Sequence, residues 1–212
     1  DVILIKKIQS KKHIISFKGK YSKNIYKKNT ISRLLKVLEK ERLLTGQKFE
    51  IKVKKYVPPK SGLGGGSMNA ANILKYLIKK NFINPSREQL SSICKSIGSD
   101  VALGLNSTFS ILKSNNTIKE YKSCKKFYAL IVKPSFGCST KQIYSSVKKF
   151  SKPKFRKPSR KMINFDYLKK LNNSLEKISL SKFPKLKNIK HFLEESSNKS
   201  FVRMTGSGSA IV

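Results

Sequence analysis

The chain has 212 residues, 38% of them hydrophobic, enough for one or two lobes with a buried core. No apolar run approaches the roughly 18 residues of a membrane span, and Lys6, Lys7, Lys11 and Lys12 interrupt anything like a signal-peptide core, so the expected compartment is the cytoplasm. The formal net charge of +36 invites a nucleic-acid reading, but it comes from 41 lysines against 6 arginines spread over nearly every segment, whereas base readout and bidentate phosphate recognition favour arginine.

Along the chain, residues Val2–Ile8 and His13–Phe17 alternate as strands do, and Thr30–Leu44 carries Ile31, Leu34, Leu35 and Leu38 on one helical face. Phe49–Val57 alternates again and ends at a proline pair. A glycine-rich stretch follows, and then an apolar helical run over residues 67–80 with Ala70, Ala71, Ile73, Leu74 and Leu77. Gln89–Ile97 reads as a short helix, Thr108–Leu112 and Phe127–Val132 as strands. Residues 151–161 have two prolines and no periodicity, the pattern of a mobile surface connection. Phe165–Leu180 and Leu186–Leu193 look helical and Ser200–Met204 extended, with no internal repeat. The fold class expected is α+β.

The stretch Pro58-Pro-Lys-Ser-Gly-Leu-Gly-Gly-Gly-Ser-Met-Asn69 is the strongest chemical signal. Glycines let a backbone approach an anion at dihedrals other residues resist, and the first turn of a following helix offers unpaired N–H groups. A Walker A loop is excluded because no lysine precedes Ser67, and the dinucleotide fingerprint fails because its last glycine would fall on Ser67. Gly62 and Gly65 match the Gly-x-x-Gly of a KH clamp, but that clamp joins two helices and a strand precedes this one. A flexible turn is the plain alternative.

Two further segments carry related signals: Ile97-Gly-Ser-Asp-Val101, and Phe201-Val-Arg-Met-Thr-Gly-Ser-Gly-Ser-Ala-Ile-Val212. Together the three resemble the GHMP kinase superfamily, and within it the pattern is most similar to that of the 4-diphosphocytidyl-2-C-methyl-D-erythritol kinases. The resemblance implies a two-lobe fold with a ribosomal-protein-S5-domain-2-like amino-terminal, ATP-binding lobe over residues 1–135 and an α/β carboxy-terminal lobe over 136–212. It implies ATP with Mg2+ and a cytidine-diphosphate alcohol as small-molecule partners, with no specific nucleic acid and no membrane. The catalytic residue implied is Asp100, orienting or deprotonating the attacking hydroxyl. ATP would be held by Pro58, Pro59, Lys60, Ser61, Gly62, Leu63, Gly64, Gly65, Gly66, Ser67 and Met68, with Lys55 and Asn29 around the adenine. Thr140, Thr205, Gly206, Ser207 and Gly208 are implied for the substrate.

The departures from the family pattern are Met68 in place of a serine, and Lys60 and Ser61 in place of smaller residues whose side chains would then reach phosphate. Lys55, Asn29 and Thr140 read equally as a solvated strand lysine, a helix-start residue and a helix cap, Asp100 as a turn residue beside a helix, and the turn at 205–208 as a tight hairpin. The family's amino-terminal Pro-x-Lys-x-Asn-Leu and Gly-Tyr-His motifs do not occur, so a fragment lacking the family's catalytic lysine is expected, inactive alone. A homoserine- or mevalonate-type kinase is the nearest alternative, and a basic nucleic-acid-binding module a more distant one. Cys94, Cys124 and Cys138 have neither disulfide nor zinc spacing, and His13 and His191 are too far apart for a metal pair, so no metal-ligating residues are named.

Overall fold

In a computed structural model, all residues are described except 24, 107, 108, 116, 124–126, 150, 151, 153–156 and 197–199. Two compact units emerge, one of residues 1–59 and 64–107, the other of residues 60–63 and 108–212. The division falls ahead of the 135/136 boundary read from the sequence. It also assigns residues 60–63 of the glycine stretch to one unit and its remaining residues to the other.

The first unit is built on β1 (Val2–Ile8), β2 (Ile14–Lys18) and β3 (Lys48–Lys54). β3 lies in the middle, antiparallel to β1 and parallel to β2. The parallel pairing needs a crossover, which α1 (Thr30–Lys40) supplies. Register follows from the alternation of apolar residues: Ile3 and Phe17 both stand opposite Val53, and Ile5 and Ile15 both stand opposite Ile51. These rows face the four inward residues of α1 and the helices α2 (Gly65–Lys79), α3 (Arg87–Ile97) and α4 (Ser99–Leu105). Val2 and Leu4, on the other face of β1, are exposed.

Helix α1 stops four residues short of the expected Leu44. Arg42 takes a left-handed backbone (φ 55°), and Leu43 N–H donates back to the Leu38 carbonyl, so the chain reverses and Leu44 enters the core from outside the helix. β2 begins one residue later than expected because His13 is spent otherwise. Its Nδ1 accepts the Phe49 N–H at 3.0 Å and its ring stacks on that of Phe49. Nε2 lies 3.2 Å from a Glu39 oxygen.

Burial holds the His13 pKa below its ordinary 6.5, and Lys48 pushes the same way, against the opposing pull of Glu39. The folded state therefore favours neutral imidazole, and its contribution is present above about pH 6.5 and lost as pH falls through the lower folded value. The melting temperature is expected to be level above pH 7 and to fall below 6.5, and His13→Gln, which still accepts the Phe49 N–H, is expected to flatten that limb. Glu39, paired with Lys48, titrates below its ordinary 4.5 and so outside this window. An identical pH profile in the variant would remove His13 as the cause.

In the second unit, β4 (Phe109–Leu112) and β5 (Ile118–Tyr121) form an antiparallel pair. Helices α5 (Thr140–Tyr144), α6 (Phe165–Lys170), α7 (Glu176–Lys182) and α8 (Pro184–Glu195) follow, with a 3-10 turn over Arg160–Ile163. Cys138, Ile143, Leu186, Met204 and Ile211 form its buried centre. The single helix expected over Phe165–Leu180 is two, because Asn173 turns its side-chain oxygen onto the Leu175 N–H and competes with the helical backbone. Of the strand expected at Phe127–Val132 only Val132 pairs, with Ile211, and of Ser200–Met204 only Arg203 and Met204 pair, with Val212 and Ile211. Most of the proline-bearing connection at 151–161, and Cys124, lie outside the described residues. Cys94 and Cys138 are buried free thiols, Cys94 pushed up to about 11 by burial. His191 is largely exposed on α8, within 3.2 Å of Glu195. No described helix is long and apolar enough to cross a membrane.

Candidate active site

The second half of the glycine stretch starts α2. Gly64 is its N-cap, in the left-handed conformation (φ 68°) that glycine adopts at least cost, and it has no side chain to cap the first turn. Gly65 and Gly66, expected in the loop, are the first two residues of the helix. A Cβ on Gly65 would lie 2.9 Å from Val57 Cγ1, and one on Gly66 would lie 3.3 Å from the Thr30 hydroxyl, so the helix start packs on the ends of its neighbours only because both positions are bare. Thr30 Oγ1 donates to the Gly66 carbonyl at 2.9 Å. The first helical bond is Met68 N–H to Gly64 carbonyl, which leaves the N–H groups of Gly65, Gly66 and Ser67 as the donors an anion would take.

Asp100 lies in the first turn of α4, exposed, with Ser99 Oγ donating to its Oδ1 at 3.3 Å. Four residues on, and therefore on the same face, Gly104 lies against the first turns of α2: a Cβ there would be 2.6 Å from Ala71 Cβ and 2.9 Å from Met68 Cε. Met68 thus fills the α2–α4 contact with its side chain, an apolar use of the position where the family pattern has serine. Asp100 stands one helical turn from this crossing.

The remaining expected residues of the first unit have local duties. Asn29 caps α1, accepting from the Ile31 and Ser32 N–H groups and donating to the carbonyls of Tyr26 and Lys27. Lys55 is buried, contrary to the solvated-lysine alternative, and pairs with Asp1. Burial lowers its pKa. The Asp1 carboxylate also accepts from the N–H groups of Tyr56 and Val57 and from Asn69 Nδ2. Asn69 closes the glycine stretch quoted from the sequence but is given no role there, and Asp1 is not named, its only clue being an acid heading a strand in a chain with 11 acidic residues against 47 basic ones.

The first half of the stretch, Lys60–Leu63, lies in the second unit beside the turn Thr205–Gly208. The Lys60 carbonyl accepts from the Cys138 and Ser209 N–H groups, and the Ser61 carbonyl from Ala210 N–H. Ser61 is buried, so the phosphate contact expected of its side chain is not offered at the surface; Lys60 is exposed. Gly62, at φ 76°, passes so close that a Cβ would lie 2.1 Å from the Thr205 carbonyl oxygen. The hairpin reading of this turn holds: Thr205 N–H donates to the Ala210 carbonyl, and Arg203 and Val212 exchange two backbone bonds. Thr140 is the first residue of α5, capped by Ser139, and its hydroxyl meets that of Ser207 at 2.9 Å. Asn173 Nδ2 donates to the carbonyls of Met204 and Gly206, and a Glu176 oxygen accepts the Met204 N–H. These two bracing residues were also missed.

Residues 29–113, which include the α2 start and Asp100, match the GHMP kinases N terminal domain. Over its whole length the chain is 51% identical to the 4-diphosphocytidyl-2-C-methyl-D-erythritol kinase of Pelagibacter ubique, covering 75% of that protein. The chain belongs to the 4-diphosphocytidyl-2-C-methyl-D-erythritol kinase family. A second member of this kinase family, from Leptospira biflexa, is 30% identical over 211 residues, with 93% of this chain and 65% of that protein aligned. Solved structures agree on the fold: a 4-(cytidine 5'-diphospho)-2C-methyl-D-erythritol kinase superposes with a TM-score of 0.65 at 22% identity, and the homoserine kinase from Cytophaga hutchinsonii with 0.64 at 16%, each covering 99% of this chain and 74% of the other. The chain is thus a phosphotransferase of α+β GHMP kinase fold, and the KH alternative lapses, since the Gly62–Gly65 match follows a strand rather than a helix.

Proposed function

We propose that the protein transfers the γ-phosphoryl group of ATP to the 2-hydroxyl of 4-diphosphocytidyl-2-C-methyl-D-erythritol, in the non-mevalonate route to isoprenoid precursors. The observation that supports this reading is the crossing of α4 over the first turns of α2 at Gly104, one helical turn along α4 from Asp100 and just past the uncapped, glycine-rich start of α2. In the reaction, Asp100 accepts the proton of the substrate hydroxyl as its oxygen attacks the γ-phosphorus and the bond to the ADP oxygen breaks. The backbone N–H groups from Gly65 to Ser67 hold phosphate oxygens and orient the transferred group. Lys60 and the backbone of residues 58–63 serve the same nucleotide, with Asn29 and Lys55 near the adenine. Thr140 and Thr205–Gly208 serve the acceptor alcohol.

Among the described residues no group of three His, Cys, Asp or Glu side chains forms a metal cage. A magnesium ion carried by the nucleotide would be held chiefly by the phosphates and water and would neutralise charge on the phosphates. The reaction belongs in the cytoplasm. The excess of lysine would draw both anionic substrates inward, with on-rates that fall as salt rises.

Isothermal titration of the full-length gene product with ATP, beside a structured RNA control, tests the reading. Saturable ATP binding is expected, weakened about tenfold or more in Gly65→Val, where a branched side chain meets Val57 and displaces the helix start. Salt-sensitive RNA binding in place of ATP binding would overturn it.

A further inference from the structure

We infer that Asp1 is a positioning residue for the nucleotide loop, its carboxylate clasping the entry of the glycine stretch to the first turns of α2. The inference rests on the kinase reading above, and every residue it uses belongs to the first unit.

The Asp1 side chain is 1% exposed and each oxygen has two donors. Oδ1 accepts the N–H groups of Tyr56 at 2.8 Å and Val57 at 2.9 Å; Oδ2 accepts Asn69 Nδ2 at 2.7 Å and pairs with the Lys55 ammonium. Tyr56 and Val57 lie just past the end of β3 at Lys54, where the strand ladder no longer satisfies their N–H groups. A buried carboxylate is tolerated only when its lone pairs are matched in this way.

What the clasp joins gives it a function. Val57 is the wall against which Gly65 packs, and Asn69 lies one turn into α2, so one carboxylate ties both sides of the helix start that offers its N–H groups to phosphate. A loop held in its binding geometry before the anion arrives loses less freedom on binding, and the gain appears as affinity for the ligand of that loop alone. Lys55 follows from the same geometry. Its ammonium is directed to Asp1, so its side chain serves the scaffold, and any contact of this residue with the nucleotide is made by its backbone.

The test is steady-state kinetics and ATP titration of the full-length protein with Asp1→Asn, Asn69→Ser and the double variant Asp1→Asn/Lys55→Met. Asp1→Asn is expected to raise the KM and Kd for ATP about tenfold, with kcat and the KM of the acceptor alcohol changed less than about twofold. Asn69→Ser, which removes one arm, is expected to raise the KM for ATP about threefold and keeps the test open should Asp1→Asn fail to fold. The double variant removes the unpaired buried cation and is expected to recover melting temperature without recovering ATP affinity. A fall in melting temperature with unchanged ATP affinity, or equal changes in both KM values, would overturn the clasp as a positioning device. Wild-type protein that does not bind ATP would instead overturn the kinase reading.

Discussion

Replacing Asp100 by asparagine is expected to lower kcat about a hundredfold to ten-thousandfold while ATP affinity stays within about twofold. The amide keeps the shape of the carboxylate and can still accept from Ser99 Oγ, so the turn that opens α4 is preserved. It cannot take up the hydroxyl proton. The residue is exposed in the first turn of the helix and its removal opens no cavity, so the melting temperature is expected to hold. Coupled-assay kinetics with ATP and the cytidine-diphosphate alcohol read the first quantity, and titration calorimetry the second. A variant retaining more than about a tenth of kcat would remove Asp100 from proton transfer. Asp100→Glu adds a test of placement: it restores the base but moves it by one methylene, and an intermediate rate is expected.

Replacing Gly62 by alanine is expected to destabilise the protein by about 3 kcal/mol, against about 1 kcal/mol for Gly46→Ala. Both glycines have positive φ, 76° and 79°, so the conformational strain of an added Cβ is the same. Their surroundings differ. At Gly46 nothing lies within 4 Å, whereas at Gly62 the Cβ would sit 2.1 Å from the Thr205 carbonyl oxygen and 2.9 Å from Gly208 N, both backbone atoms that no rotamer change can move. The turn at 205–208, which the Asn173 side chain and the Lys60 and Ser61 carbonyls hold in place, must shift to admit it. Urea unfolding of the two variants measures the difference; equal losses would show that backbone strain alone is at work and that the approach of the two segments contributes nothing.

Several elements are legible in the sequence because their causes are local. The inward residues of α1 recur at helical spacing and are all buried; β1 to β3 alternate, and the alternation sets the register of the sheet. Elements failed where a distant or polar partner intervened. Asn173 splits a helix whose apolar spacing runs through it, since its amide also answers carbonyls some thirty residues away at Met204 and Gly206. Phe127–Val132 has the composition of a strand, yet only Val132 meets a partner, because a strand exists only where a second chain segment supplies the ladder.

The sequence by itself determined the class of chemistry. The glycine stretch, the Gly-Ser-Asp-Val segment and the final Gly-Ser-Gly turn together resemble the motifs of this kinase family, and neither their order nor their chemistry depends on where they lie in space. Only the tertiary structure decided how these pieces are used. It drew residues 60–63 to the turn at 205–208 and residues 64–68 to α4, placed Gly65 and Gly66 inside a helix where their lack of a side chain permits close packing, and turned Lys55 inward onto Asp1. The reason is physical. Periodicity and glycine content act over a few residues, whereas the matching of a buried carboxylate to its donors, or of a bare Cα to a carbonyl 143 residues away, is satisfied only when the chain has closed on itself.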